Sequence, residues 1–209
     1  EQTVEERSRQ IRTAAEVAQN VTSLSSLDEV LDKTVELLVQ QFGFYQASVF
    51  LMDQNGKTLE FKTGFGSATS GLIKRKYRLE VNSDSIIGWV SANNQPRIAS
   101  DVSEDPIHLK NELLPETRSE ASLPISIGHL VLGVLDVQST QVGAFDDSET
   151  VAMLQTLASQ TATAIQTAGL TETSQVNFEE LSHLYRSSRL IAEANTESEI
   201  FEIGSKILK

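Results

Sequence analysis

Hydrophobic and polar positions divide the chain into helical ends and a middle that alternates like a β-sheet. Residues 1–22 contain no Gly or Pro, and Val4, Ile11 and Ala18 recur every seven positions. This spacing predicts a helix with a seam for a partner helix. A second amphipathic helix follows and is predicted to end at Gly43, because glycine commonly caps helices.

Six segments of the middle have the alternating, aromatic or β-branched residues that are typical of strands. They are residues 44–52, 58–65, 77–81, 97–99, 122–127 and 130–138. Asn55-Gly56 and Gly128-His129 predict two hairpin turns. The last segment is apolar at nearly every position, which predicts a central strand that is covered on both faces.

Further helices are predicted between and after these strands. Residues 85–93 predict one helix, and residues 101–117 predict a loop with about two helical turns. A long closing helix is predicted to begin with Asp146 as its N-cap and Glu149 three residues later. Its apolar spacing predicts a stripe beyond what one domain can cover, formed by Leu154, Leu157, Thr161 and Ala164.

The end of the chain resembles its beginning. Residues 28–38 line up with residues 198–208 at a constant offset, which predicts a truncated second copy from about residue 178 onward. The closing helix either continues through Gly169 into this copy as one rod or ends there in a linker. A rod would relay a change from the sheet, and we favour it because no Pro interrupts residues 147–209.

Composition limits the kinds of partner and the cellular compartment that we expect for the protein. The net charge is −12, from 17 basic and 29 acidic residues, and such a field repels nucleic acid and anionic lipid. The sequence contains no cysteine, signal peptide or apolar run long enough to span a membrane. We therefore expect a cytoplasmic protein with no nucleic-acid or membrane partner.

Five motifs, in order along the chain, resemble those of the GAF domain family. They are the Gly-Trp-Val helix in 86–90, the Asp-Val strand and loop in 97–106, the Arg-Ser-Glu entry strand in 117–125, the Gly-Val-Leu-Asp-Val-Gln-Ser strand in 133–139 and the closing helix in 145–165. The resemblance implies an α+β fold, with a central antiparallel sheet of about six strands between helices and a ligand pocket. It assigns 25–168 to this domain, 1–24 to a signalling helix and 169–209 to a connector and partial repeat.

The resemblance implies pocket positions for Phe65, Trp89, His108, Arg118 and Gln138. Four of them also have a structural interpretation. Trp89 would be a core residue, His108 a solvated loop residue and Gln138 the residue at which a strand leaves the core. Arg118 would either meet an anionic ligand group or pair with a neighbouring acidic residue, Glu116 or Glu120.

Family members that bind known classes of ligand carry characteristic residues for each class. Family members that carry a bilin attach it through Cys, and free methionine sulfoxide reductases use catalytic Cys, so the lack of cysteine excludes both. Glu149-Thr150 replaces the acidic pair of cyclic-nucleotide-binding members. We therefore expect no cofactor, and a non-covalent ligand of unknown identity.

Catalytic and metal-binding patterns are absent from the sequence. Its histidines, His108, His129 and His183, lie in separate predicted elements without ligand-like spacing. No carboxylate pair stands isolated among apolar residues in the way that a raised pKa requires. We expect no metal site, no catalytic residue and no enzymatic activity.

Two functions remain open from the sequence. The first is a sensory module of a signal-transduction protein, such as a two-component system, that binds a small molecule and relays through its terminal helices to an output domain. The second is a ligand-free dimerisation and spacer module. In both, the terminal helices are expected to form a homodimer.

Overall fold

The computed structural model describes residues 26–169. The chain divides into two compact units, residues 1–165 and 166–209. The first unit contains the sheet and its flanking helices. The second is described only at residues 166–169, which are helical. The predicted helix in 1–22, the partial repeat and His183 lie outside the described residues.

The first unit contains six strands and four helices within its described part. The helices are α1 (Leu27–Gln40), α2 (Thr69–Arg75), α3 (Ile86–Asn93) and α4, which begins at residue 148. The strands are β1 (Gln46–Met52), β2 (Thr58–Gly66), β3 (Arg78–Glu80), β4 (Arg97–Ala99), β5 (Ser119–Ile127) and β6 (Leu130–Ser139).

All strand pairs are antiparallel and follow the order β3-β2-β1-β6-β5-β4. The predicted hairpins β1–β2 and β5–β6 are confirmed, and a glycine with positive φ lies in each turn, Gly56 at 67° and Gly128 at 60°. The first and last strands, β1 and β6, pair at the middle of the sheet. The prediction of a central position for β6 is therefore confirmed. The α+β fold class with about six strands is likewise confirmed.

Helices α1 and α4 pack on one face of the sheet, which we call the helix face. α1 begins at Ser26, whose hydroxyl accepts a hydrogen bond from the Glu29 amide. Its Leu31 and Leu38 are fully buried in the same core as Leu154 of α4. Burial of these apolar side chains, rather than helix propensity, holds α1 and α4 on the sheet.

Two details of α4 differ from the prediction. Its cap is Asp147, whose carboxylate accepts hydrogen bonds from the amides of Glu149 and Thr150, whereas Asp146 bonds with Ser100. Three of the four residues of the stripe expected to exceed what one domain covers are buried within this domain, since Leu154, Leu157 and Thr161 are at most 5% exposed, whereas Ala164 is partly exposed. The three buried residues cover the sheet and are not free for a partner helix.

The opposite face of the sheet, which we call the pocket face, lies under α2, α3 and the segment between β4 and β5. Sequence patterns did not indicate α2. The segment, residues 100–118, consists of turns without the helix that we predicted. None of the helices in the described part of the chain is long and apolar enough to cross a membrane.

Candidate functional site

Two rows of polar side chains cross the pocket face on the three strands β1, β6 and β5. In one row Gln46 pairs with Gln138, which pairs with Glu120; in the other Ser48 pairs with Asp136, which pairs with Ser122. Side chains alternate along a strand, so members two residues apart share a face. All six are at most 7% exposed, which is unusual for a sheet interior.

Hydrogen bonds join the β5 and β6 members of these rows into one network. The Ser122 hydroxyl donates to Oδ1 of Asp136 at 2.6 Å, and the Gln138 amide donates to Oδ2 of Asp136 at 2.9 Å. The Thr117 hydroxyl bonds Oε1 of Gln138 at 2.6 Å. Buried polar groups are costly unless paired, and these pairs fix the side chains in one arrangement.

Glu120 and Asp136 form a pair of buried carboxyl groups on the adjacent strands β5 and β6. Burial raises the pKa of Glu120 to about 7. Burial, followed by the charge of Glu120, raises the pKa of Asp136 well above its ordinary value. Our expectation that no carboxylate pair has the environment for a raised pKa is therefore wrong, because residues distant in sequence create that environment.

Residues 100–118, which we call the covering segment, close the pocket face. His108 places Nδ1 at 2.8 Å from Oε2 of Glu120. The segment is held at its other side by Asp105, which accepts hydrogen bonds from Nε and Nη2 of Arg97 at 2.9–3.2 Å. The Arg97 guanidinium in turn lies 5.2 Å from the ring centre of Trp89, a favourable cation–π distance.

A small cavity of about 30 Å³ lies between the covering segment and the sheet, which is room for about one water molecule. Its carboxyl and amide groups from Glu120, Asp136 and Gln138 lie on the strands, and its apolar residues come from β1 and from the elements that cover the sheet. The polar residues include Ser48, Glu120, Asp136 and Gln138, and the apolar ones include Phe50, Leu72, Ile86, Ile87, Leu109 and Leu114. No lysine or arginine belongs to the wall formed by the described residues.

Of the five residues that we placed in the pocket, one lines this cavity and two belong to the contacts that hold the covering segment. Gln138 lines it. His108 reaches it through its hydrogen bond with Glu120. Trp89 does not line it and supports Arg97, which holds the covering segment.

The other two residues lie elsewhere. Phe65 packs against the core of the helix face, because a β-bulge near Val49 changes the face on which the following part of β2 presents its side chains. The Arg118 side chain is 56% exposed and pairs with Asp101 at 3.7 Å, so neither Glu116 nor Glu120 is its partner. Both residues stand outside the site that we describe.

Sequence reasoning missed Glu120, Asp136 and their neighbours Ser48 and Ser122. The signal was present in β5 and β6, where Glu120 and Ser122, and Asp136 and Gln138, are polar residues two positions apart. In a central strand such alternation places polar groups in the interior, where they must pair or serve a ligand. Among residues 26–169, no three His, Asp or Glu side chains are grouped so that they could hold a metal ion.

The family model of the GAF domain matches residues 25–166. The chain belongs to the GAF domain family. The match covers the whole described sheet and the helices on both its faces, so the sequence resemblance is confirmed. A search of the curated proteins finds no significant match.

Solved GAF domains share this fold at low sequence identity. The GAF domain of a phosphoenolpyruvate-protein phosphotransferase from Coxiella burnetii is 21% identical, with a TM-score of 0.69 over 78% of this chain and 96% of that chain. A free methionine-R-sulfoxide reductase from Neisseria meningitidis, solved with its substrate, is 20% identical, with a TM-score of 0.65 over 76% and 89%. A methyl-accepting chemotaxis protein is 19% identical, with a TM-score of 0.61 over 74% and 98%. At such identities the likeness shows a common fold.

Proposed function

We propose that this GAF domain is a regulatory module that binds a small molecule between the covering segment and the pocket face. The observation that carries the proposal is the buried carboxyl pair of Glu120 and Asp136, which lines a cavity beside Gln138. Apolar side chains would stabilise a sheet more simply, since buried carboxyl groups cost free energy unless they are paired. A ligand that uses these groups explains why they are there.

The charge of the site favours some ligands over others. Its wall combines carboxyl groups with amide and hydroxyl groups and lacks basic side chains among the described residues. Carboxyl groups attract cations and hydrogen-bond donors, and they repel phosphates and carboxylates. We therefore expect a neutral or cationic ligand whose polar end donates hydrogen bonds and whose remainder is apolar.

The identities of the structural neighbours support a role in regulation. They include a phosphotransferase GAF domain, a sensor protein and a chemotaxis protein. For this chain we propose the same kind of role, with the change at the pocket passed to α1 and α4 through the sheet that they cover. The proposal assigns no catalytic step to the chain.

A thermal-shift screen of the full chain tests this function. The compounds are methylammonium and guanidinium as cations, acetamide as a neutral donor, and acetate and phosphate as anions. A compound at about 100 times its Kd stabilises the folded state by about 2.7 kcal/mol, which raises Tm measurably. The shift should disappear in Asp136→Asn and persist in Glu116→Gln, an exposed control on the covering segment.

The small size of the cavity favours one alternative, a ligand-free dimerisation and spacer module. In that case no compound raises Tm, and native mass spectrometry of the purified chain finds the mass of the polypeptide without a bound compound. A monomeric mass at tens of micromolar would exclude the dimerisation part of that alternative.

A further inference from the structure

His108 and Glu120 join the covering segment to the floor of the site. Nδ1 of His108 lies 2.8 Å from Oε2 of Glu120, and the two side chains are 13% and 5% exposed. His108 belongs to the turn that follows Asp105, whereas Glu120 belongs to β5. Their contact therefore links two elements that a bound ligand would have to separate or bridge.

The contact is a hydrogen bond between Glu120 and a neutral imidazole rather than a full salt bridge. Burial lowers the pKa of His108, more than the nearby Asp136 and Asp105 raise it. Burial raises the pKa of Glu120 to about 7, so at slightly alkaline pH Glu120 is a carboxylate that accepts from Nδ1–H. The other titratable groups around these two are Tyr77 before β3 and Lys110 on the covering segment.

The cavity beside this contact is too small for a ligand larger than about one water molecule. Its volume of about 30 Å³ accommodates about one water molecule. The carboxyl groups of Glu120 and Asp136 already have partners in His108, Ser122 and Gln138. A ligand larger than a water molecule that bonds Glu120 must therefore displace part of the protein around the cavity, and His108 is the side chain that contacts Glu120.

We propose that the His108–Glu120 contact is autoinhibitory, in that it occupies the place of a ligand on Glu120. A ligand with an N–H donor replaces the His108 imidazole there and releases the covering segment around His108. The inference rests on the proposed function and deepens it, because it names the donor group of the ligand and the residue that the ligand displaces. The class of ligand is a nitrogen base with an N–H donor, of which imidazole is the simplest match.

The surroundings of His108 determine which part of the segment moves. Asp105 is fixed by Arg97, and its Oδ1 and carbonyl oxygen accept from the amides of Ile107 at 2.9 Å and His108 at 3.3 Å. Leu109, which follows His108, is 48% exposed although it lines the cavity. Displacement of His108 should therefore move residues 106–112, while the anchored Asp105 stays in place.

Imidazole binding to the full chain tests the proposal. Isothermal titration at about pH 8, where imidazole is neutral, compares the natural chain with His108→Ala. Removing the competing side chain should tighten imidazole binding by about tenfold or more, since hydrogen bonds to charged groups are worth about that factor. In the His108→Ala background, Glu120→Gln should reverse most of this gain.

Two variants serve as controls. His129→Ala, at the exposed β5–β6 turn, should leave imidazole affinity unchanged. His108→Gln retains a donor for Glu120 and should give a smaller gain than His108→Ala. Equal affinity in the natural chain and in His108→Ala, or a gain that does not depend on Glu120, would overturn the proposal.

Amide hydrogen exchange of the natural chain gives a readout that does not need a variant. Bound imidazole should speed exchange in residues 106–112 and leave β4 unchanged. Unchanged or slower exchange in 106–112, with imidazole bound, would contradict displacement. If the compound screen finds a ligand while these tests fail, the autoinhibitory contact is refuted and the binding function stands; if the screen finds none, the binding function itself fails.

Discussion

The carboxyl groups of Glu120 and Asp136 lie diagonally across β5 and β6, and both are buried in the protein interior. Burial and the charge of one carboxylate each disfavour ionisation of the other, so the folded pair retains a proton more strongly than two exposed carboxyl groups do. The folded domain therefore holds a proton that the unfolded chain would release at neutral pH. This relationship makes the stability of the domain depend on pH.

The substitution Glu120→Gln should remove part of that dependence. Burial raises the pKa of Glu120 from 4.5 to about 7, so its contribution to stability is fully present below the unfolded pKa and is lost as pH rises to about 7. Between about pH 4.5 and pH 8 the variant should therefore gain about 3 kcal/mol relative to the natural chain. Urea unfolding at both pH values measures the difference.

Glu116→Gln is the matched control, because Glu116 is an exposed acidic residue on the covering segment, four residues before Glu120. Its stability should follow that of the natural chain at both pH values. An equal difference between Glu120→Gln and the natural chain at acid and alkaline pH would show that the pKa of Glu120 is not raised by folding.

The substitution Gly133→Ala should disrupt the centre of the sheet. A Cβ atom at this position would lie 2.2 Å from the carbonyl oxygen of Phe50 on β1, and neither strand can move without breaking its ladder. We expect a loss of about 2–3 kcal/mol in unfolding free energy, as in other overpacked sites. Gly128→Ala, which meets no atom within 4 Å but has positive φ, should cost only about 1 kcal/mol.

Helix α4 should contribute strongly to the stability of the domain through Leu154. This side chain is fully buried in the core between the helices and the sheet, and truncation of such a leucine typically costs about 2–5 kcal/mol. Chemical denaturation of Leu154→Ala measures the loss. Leu130→Ala, whose side chain is 64% exposed, should change stability by less than about 0.5 kcal/mol; equal losses in the two variants would mean that α4 does not pack on the sheet.

The sheet could be predicted because its strands carry their own signals. The apolar run of β6 and the glycine of its hairpin define a central strand without reference to any other part of the chain. The family resemblance then supplied the arrangement of the helices. Phe65 shows the limit of this reasoning, because a bulge that depends on pairing with β1 moves it to the helix face.

The covering segment was harder to predict, for a different reason. The spacing of its leucines favours a helix, yet Asp101, Asp105 and Asn111 each accept a hydrogen bond from the amide two residues later. Such side-chain bonds compete with helix formation and produce successive turns. The carboxyl pair was missed because Glu120 and Asp136 become neighbours only through the register of β5 and β6.

Arg97→Met should loosen the covering segment, because Arg97 holds Asp105 through several hydrogen bonds in a place where Asp105 is only 10% exposed. Removing it leaves a largely buried carboxylate without its charged partner, which costs about 1.5–3 kcal/mol. Amide exchange should accelerate across residues 102–110. Arg118→Met is the matched control, since that arginine is 56% exposed and pairs with Asp101 at 3.7 Å; it should change stability by less than about 0.5 kcal/mol. Equal exchange in both variants would mean that the segment is held by its apolar contacts, such as Leu114 against α2, and not by Arg97.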